Sequence, residues 1–307
     1  MLPMLRRREI GVSAAAQRKA FFVRLDSRTL KRATTLVPVI LALTACGKSV
    51  AEKDAAARSG AYAEKYAKAQ ALFEERCKTA GVVIKRTVKD VEGIELTKIR
   101  PPIPWAGKEY FDPMYPGAAM AREMLGDYYI KQFLMSEFSF SAGAQARGAL
   151  YPPTMKLSPG MMTPLAGYRF VELVDQAGHS RQRCELVLKP TEHSWERTTL
   201  DCRPVTESST RYALDFTDIV DATDRDLWIA GTRLKVIDKR TGEALAELTK
   251  FVWDPGFGSA SSGRWPWQHA GGRSNQNCPS NVNRLTGTDS RYFVDTVLIP
   301  KQPGRLE

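Results

Sequence analysis

The sequence predicts an α+β fold, in which a mostly antiparallel β-sheet is flanked by helices at the N- and C-terminal ends of the domain. Three observations predict this class. Apolar residues recur at helical spacing over residues 61–79 and again around 292–298. From Tyr168 onward, short segments of β-forming residues are separated by turn-forming residues. No internal repeat of the length that solenoid proteins use is visible.

The first predicted element is a helix from Ala61 to about Thr79. Its apolar residues fall at spacings of three and four and so share one helical face: Tyr62, Tyr66, Ala69, Phe73 and Cys77. Gly81 ends the helix. The preceding residues 46–60 are polar and rich in alanine, and Gly60 is a candidate helix breaker, so we expect a tether there.

A β-hairpin is expected next, from the β-rich segment 82–88 and the alternating segment 94–99, with Glu92 and Gly93 in the turn. A long loop rich in proline and aromatic residues follows. Residues 120–135 are expected to be helical, although Gly126 weakens that prediction, and residues 141–167 are expected to be irregular.

The second half of the chain is expected to be mainly β. We expect a strand at 168–174, a hairpin containing Cys184 and Cys202, a strand at 212–216 and a short acidic helix at 221–226. A second hairpin is predicted from 234–238 and 244–253 around the turn 239–242. A glycine-rich loop at 256–272 and a terminal helix, stopped by Pro300, complete the domain.

The N-terminal region has the features of an export signal. Residues 1–45 hold nine of the 45 Lys and Arg residues but only two of the 34 acidic residues. No charge occurs between Ala33 and Gly47, and the apolar run 36–43 is too short to span a membrane, which takes roughly 20 residues. A short buried core helix is the alternative for this run, but Pro38 interrupts it.

The segment Leu43-Thr44-Ala45-Cys46-Gly47 resembles the lipobox of bacterial lipoproteins. The resemblance implies cleavage between Ala45 and Cys46 and attachment of lipid to the Cys46 thiol, so the partner at this end is a membrane. Because Gly47 rather than Asp follows the cysteine, it also implies the periplasmic face of the outer membrane rather than the inner membrane. The expected organisation is a signal peptide (1–45), a tether (46–60), one α+β domain (61–300) and a tail (301–307).

The charge of the mature region argues against nucleic acid as a partner. The whole chain has a formal net charge of +11, but most of that excess lies in the leader. The remaining residues lack the large basic excess that neutralises phosphates.

Four cysteines remain after lipidation of Cys46, and an even number in an exported chain predicts two disulfides. Of the three possible connectivities we favour Cys184–Cys202, which lie on the two strands of one hairpin, and Cys77–Cys278, which would join the first helix to a loop near the C-terminus. Free buried thiols are the alternative. A zinc site is disfavoured because no pair has the usual ligand spacing.

Sites of known chemistry are not apparent. The three histidines, at positions 179, 193 and 269, have neither metal-ligand spacing nor a neighbouring nucleophile motif, and no nucleotide-binding motif occurs. We therefore expect no cofactor, no metal and no catalytic residues. The acidic residues from 215 to 226 lack the pattern of a calcium loop and are expected to cap a helix.

One segment is a candidate for ligand binding. Arg264, Trp265, Trp267 and His269 share a glycine-flanked loop, and flat aromatic faces beside hydrogen-bonding groups suit sugars, peptides or cations. The alternative is that both indoles cap the core beside the Cys278 bridge.

The mature region also resembles a set of uncharacterised proteobacterial lipoproteins over most of residues 70–300. The segments that carry this resemblance are Phe73–Gly81, Val91–Ile94, Lys98–Pro101, Trp228–Gly231, Leu234–Asp238 and Thr241–Glu243. It implies no mechanism. The function expected from the sequence is that of a non-enzymatic, lipid-anchored envelope protein that binds a protein partner or acts as a scaffold. A ligand- or glycan-binding module and a hydrolase are the alternatives.

Overall fold

The computed structural model describes residues 50–104, 107–137, 150–151, 166–174, 180–188, 198–280 and 289–301. The described residues from Asp54 onward belong to one compact unit. The predicted leader and lipobox lie outside the described residues. So do His179, His193, the turn expected between the cysteine strands and most of the segment 141–167.

The structure confirms the predicted α+β class. The helices are α1 (Val50–Cys77), α2 (Asp127–Leu134), α3 (Ala222–Asp226), α4 (Pro266–Gly271) and α5 (Asp289–Val297). The strands are β1 (Gly81–Ile84), β2 (Val88–Val91), β3 (Gly93–Leu96), β4 (Ser136–Glu137), β5 (Leu150–Tyr151), β6 (Phe170–Val174), β7 (Arg181–Leu188), β8 (Thr198–Val205), β9 (Tyr212–Ile219), β10 (Ile229–Asp238), β11 (Glu243–Trp253), β12 (Asn277–Cys278) and β13 (Leu298–Pro300). Within the described part of the chain, no helix has the length and apolar character needed to cross a membrane.

A mostly antiparallel sheet forms the centre of the fold. Among the described residues it has nine strands in the order β1-β11-β10-β9-β3-β6-β7-β8, with β12 paired to β11. β3 is the exception, because it runs parallel to both of its neighbours, β6 and β9. Two further pairs stand apart from this sheet: β13 with β2, which is parallel, and β4 with β5.

Helix α1 is longer than the sequence predicted. It begins at Val50 and runs through Gly60, so the expectation that Gly60 breaks the helix was wrong. One glycine in a helix costs only about 1 kcal/mol, and the surrounding alanine, lysine and glutamate residues favour a helix. The predicted apolar face is correct, since Ala69 and Phe73 are buried.

The two hairpins predicted in the second half of the chain are confirmed. Strands β7 and β8 pair antiparallel with Cys184 directly opposite Cys202. Strands β10 and β11 pair antiparallel around a turn at residues 239–242, and β10 begins at Ile229, five residues before the predicted start. The short acidic helix also forms, capped by the Asp221 carboxylate, which accepts a hydrogen bond from the backbone N–H of Asp224 at 3.0 Å.

The hairpin predicted near the N-terminus was wrong. Its segments become β1, β2 and β3, and each pairs with a distant strand: β1 with β11, β2 with β13, and β3 with β6 and β9. Only the alternation of apolar and polar residues was informative, because it shows which face of a strand is buried and not which strand lies beside it.

Two other boundaries differ from expectation. The helix expected over 120–135 is shortened to α2, which begins after Gly126, a residue with a positive φ of 56°. The loop expected over 256–272 contains the short helix α4, which starts at Pro266. Proline suits the first position of a helix because its missing N–H would have no partner there.

The core lies on one face of the sheet. Tyr129 and Phe133 of α2 and Phe293 of α5 pack with alternate residues of the sheet, including Val171 and Leu234. On the opposite face, α1 covers only the end of the sheet at β10 and β11. The remainder of that second face, over β3, β6, β7 and β9, carries charged side chains.

Candidate functional site

Both predicted disulfides are present in the structure. Cys77, the last residue of α1, is joined to Cys278 of β12, 201 residues later. Cys184 is joined to Cys202 across β7 and β8, 18 residues apart. The first bridge fixes α1 to the sheet, and the second fixes two neighbouring strands to each other.

Arg264, one of the four candidate ligand-binding residues, is already engaged within the loop. It pairs with Asp254, whose side chain is fully buried, through a two-pronged contact that includes a 3.0 Å bond from Nη1 to Oδ2. Asp254 also accepts the backbone N–H groups of Gly256 and Gly258, at 3.1 and 2.9 Å. The Arg264 guanidinium therefore holds the shape of its own loop.

The two tryptophans of the candidate segment lie in the core and not on an open surface. Trp267 is 0% exposed, stacks on Trp228 with ring centroids 4.9 Å apart, and donates its indole N–H to the carbonyl of Asp112 at 2.8 Å. Trp265 is half-buried and stacks on Tyr110, with centroids 5.4 Å apart. The complete burial of Trp267 favours the alternative, in which the indole caps the core.

His269 lies at the end of the same segment, on α4, and is half-buried. Burial lowers the pKa of His269, and the nearby positive charges of Arg264 and Arg273 lower it further. Three of the four residues, Arg264, Trp265 and Trp267, contact other residues of the protein.

A different surface stands out at the edge of the sheet, on strand β1. Val82, Val83 and Ile84 are 43%, 62% and 44% exposed. β1 pairs with β11 on one side, and no strand among the described residues pairs with its other side. Three consecutive apolar residues on an unpaired edge are unusual in a monomeric protein, because such an edge templates further strand pairing.

The hydrogen bonding of β1 shows which backbone groups are available. The N–H of Lys85 donates to Leu245 of β11 at 2.8 Å, which makes these two residues a hydrogen-bonded pair. Hydrogen-bonded pairs alternate with non-bonded ones in an antiparallel ladder, so Val82 and Ile84 direct their N–H and C=O groups away from β11. These four groups point outward from the edge of the sheet.

The opposite edge of the sheet, β8, is protected. It contains Pro204, which has no N–H to donate, and an exposed ion pair between Arg203 and Asp201. Proline and charged residues are the usual devices that prevent edge-to-edge association. β1 contains none of them between Gly81 and Ile84, so the two edges differ in their capacity to accept another strand.

Charged side chains occupy the second face of the sheet, opposite the core. Glu95 and Glu172 lie directly opposite each other on the parallel strands β3 and β6, and both are buried. Lys239 donates to Glu95 at 2.7 Å, and Arg181 also pairs with Glu95. Arg183 donates to Glu172 at 3.0 Å.

A short loop of hydroxyl residues closes over these carboxylates. Ser208 and Ser209 donate their hydroxyls to Glu172 at 2.7 and 2.8 Å, and Thr210 does so at 3.2 Å. Burial alone would raise the pKa of Glu172, but the hydrogen bonds from Ser208 and Ser209, together with Arg183, lower it to about 2. Glu172 is therefore ionised at pH 7.

The arrangement of Ser208 beside Lys239 superficially resembles a nucleophile and its base. The Lys239 ammonium, however, donates to Glu95, Ser208 and Thr210, and so uses all three of its hydrogens. An ammonium in this state has no lone pair with which to take a proton from the serine. The cluster joins three strands, the loop 208–210 and the turn that follows β10, and Lys239 is not available as a base.

No metal site is formed by the described residues, because no three of their His, Cys, Asp and Glu side chains gather closely enough. No sequence pattern indicates the Glu95–Glu172 cluster, because its members come from five separate segments. The exposed edge of β1 also has no local signal, because the segment 82–88 predicts one arm of a hairpin. No family model, curated protein or solved structure matches the chain.

Proposed function

We propose that this chain is a lipid-anchored protein of the bacterial envelope that catalyses no reaction and binds a partner protein through strand β1. The observation that carries the proposal is the unprotected edge formed by Val82, Val83 and Ile84. Partner binding by strand addition uses such an edge: backbone hydrogen bonds provide affinity, and side chains on alternate positions provide specificity.

The location of the protein is supported by its cysteines and by its N-terminal sequence. Disulfides persist outside the cytoplasm, and the structure contains two. The lipobox-like segment ends at Gly47, and helix α1 begins three residues later, at Val50. A lipid on Cys46 would therefore be followed almost directly by a helix that is bridged to the domain at Cys77.

The chemistry of the edge indicates what the partner presents. An added strand would lie against Val82, Val83 and Ile84, so the partner segment is extended and apolar at this point. Lys85 follows directly, is exposed, and forms no side-chain hydrogen bond or ion pair among the described residues. We therefore expect an acidic residue at the end of the partner segment that meets Lys85.

The experiment is affinity capture of the full-length protein from detergent-solubilised envelope membranes, with two variants that change different properties of the edge. Val83→Lys places a charge in the apolar strip. Ile84→Pro removes one outward N–H without touching the bonds to β11. Val187→Lys on β7 is the matched control, because Val187 is 42% exposed but lies within the sheet.

The expected result is one protein that is captured by the wild type and by Val187→Lys and is lost in both β1 variants, each of which keeps the wild-type circular dichroism spectrum. Capture that survives both β1 variants would contradict the proposal. So would a homodimer that Val83→Lys converts to a monomer, because the edge would then be occupied by a second copy of this chain.

The anchor has a separate test. Replacement of Cys46 by serine should abolish incorporation of radiolabelled palmitate and should release the protein from the membrane fraction. Retention of label in Cys46→Ser would show that the lipid is attached elsewhere.

A further inference from the structure

A cavity of about 520 Å³ lies over the charged face of the sheet, away from β1. It is bounded by residues 88–93, by Arg169 and Phe170, by Arg183 and Glu185, and by residues 209–212. Its volume is within the range of small-molecule binding sites, which are typically several hundred Å³.

Two guanidinium groups on the wall of the cavity are each paired with a buried carboxylate. Arg183 pairs with Glu172 at 3.0 Å and stacks on the ring of Phe170, with its guanidinium carbon 4.2 Å from the centroid. Arg211 donates Nε and Nη2 to Asp238, whose side chain is fully buried. Each arginine is thus fixed before any ligand arrives, which reduces the entropy lost on binding.

Both arginines still have donors to offer. Among the described residues, Nη1 of Arg183 and Nη1 of Arg211 have no hydrogen-bond partner. Two further cations line the cavity and form no side-chain hydrogen bond in the described part of the chain: Lys89 and Arg169, both of which are exposed. Guanidinium donors in this number match a carboxylate or a phosphate.

Acidic side chains on the wall of the cavity restrict the class of ligand that it can bind. Glu92 is occupied by Lys301, whose ammonium lies 2.7 Å away. Asp90 and Glu185 line the cavity with no ion-pair partner among the described residues. They would repel a polyanion such as a phosphate cluster, but they would attract an ammonium group on a ligand that also carries a carboxylate.

We propose that this cavity binds a small zwitterionic ligand, a free amino acid or a short peptide, with its carboxylate on the arginines and its ammonium on Asp90 or Glu185. This inference does not depend on partner binding at β1, because the two sites lie on different strands. It adds a ligand class for which the sequence offered no motif.

Isothermal titration calorimetry on the full-length protein in detergent tests the proposal, with tri-alanine as the probe. The C-terminal amide of tri-alanine lacks the carboxylate, N-acetyl tri-alanine lacks the ammonium, and inorganic phosphate is an anion without either feature. We expect saturable binding of tri-alanine, and a loss of about tenfold in affinity for each blocked peptide, since one charge-assisted hydrogen bond is worth that much.

The protein side is tested with Arg169→Ala, which removes an exposed side chain that forms no side-chain hydrogen bond among the described residues. The charge of Arg169 also lowers the pKa of Glu92. It should weaken tri-alanine binding by about tenfold. Arg233→Ala is the matched control, because Arg233 is exposed on β10 outside the cavity and its loss should leave affinity unchanged. No saturable binding, equal binding of the amide or of phosphate, or no effect of Arg169→Ala would each overturn the proposal.

Discussion

The two disulfides close loops of very different length, and this difference predicts how much each stabilises the fold. The Cys77–Cys278 bridge encloses 201 residues and the Cys184–Cys202 bridge encloses 18. If a disulfide acts mainly by restricting the unfolded chain, the entropy removed grows with the logarithm of loop length. The long bridge is then worth about 5 kcal/mol and the short one about 3 kcal/mol.

Each contribution can be measured by reducing one bridge in a variant that lacks the other. A Cys184→Ala/Cys202→Ala variant keeps only the long bridge, and a Cys77→Ala/Cys278→Ala variant keeps only the short one. Urea unfolding of each, followed by tryptophan fluorescence with and without a reductant, gives the free energy of the bridge that remains. The long bridge should exceed the short one by about 2 kcal/mol. A short bridge that stabilises as much as the long one would refute the loop-entropy reasoning.

Three further predictions concern stability. Burial and the neighbouring Asp289 carboxylate raise the pKa of Glu123 to about 7. The folded state therefore holds a proton that the unfolded state releases near pH 4.5. The resulting stabilisation is complete below pH 4.5 and is lost as the pH rises through 7. Urea unfolding should show that Glu123→Gln removes about 2–3 kcal/mol of pH dependence between about pH 5 and about pH 8, and an unchanged pH dependence would contradict this. Trp267→Ala should cost about 3–5 kcal/mol, because the indole is fully buried against Trp228; a loss below about 1 kcal/mol would mean that the ring is not in the core. Val83→Lys should change the unfolding free energy by less than about 0.5 kcal/mol, since Val83 is exposed, and a larger loss would show that β1 depends on this side chain.

The elements that the sequence predicted well are those held by local pairing. The hairpin of β10 and β11 is connected by a turn of four residues, so the turn chemistry and the alternation of the two strands determine its register together. The pairing of Cys184 with Cys202 follows from the same kind of local register. Helix α1 was recognised from its apolar face, although its start was not.

The N-terminal strands could not be placed from sequence, for a physical reason. β1, β2 and β3 have four residues each, and the strand beside β1 begins more than 150 residues later. A segment this short specifies which of its faces is buried, but its partner is chosen by the packing of the whole sheet. The exposure of Val83 depends on that choice and was therefore not predictable.

The candidate sites also differ in how far local sequence determines them. Arg264, Trp265, Trp267 and His269 lie close together because they are neighbours in the chain. Whether their rings face a ligand or the core depends on Tyr110 and on other residues far away, and the structure places Trp267 in the core. The cavity arginines come from three separate segments, so no local pattern indicated them.

Site-specific photo-crosslinking in cells would show whether a partner protein binds strand β1. A photoreactive phenylalanine analogue replaces Val83 in one strain and Val187 in another, and the crosslinked envelope proteins are separated and identified. We expect one crosslinked partner from position 83, none from position 187, and attachment to an extended apolar segment of that partner. Equal crosslinking from both positions, or none from position 83, would contradict the proposal.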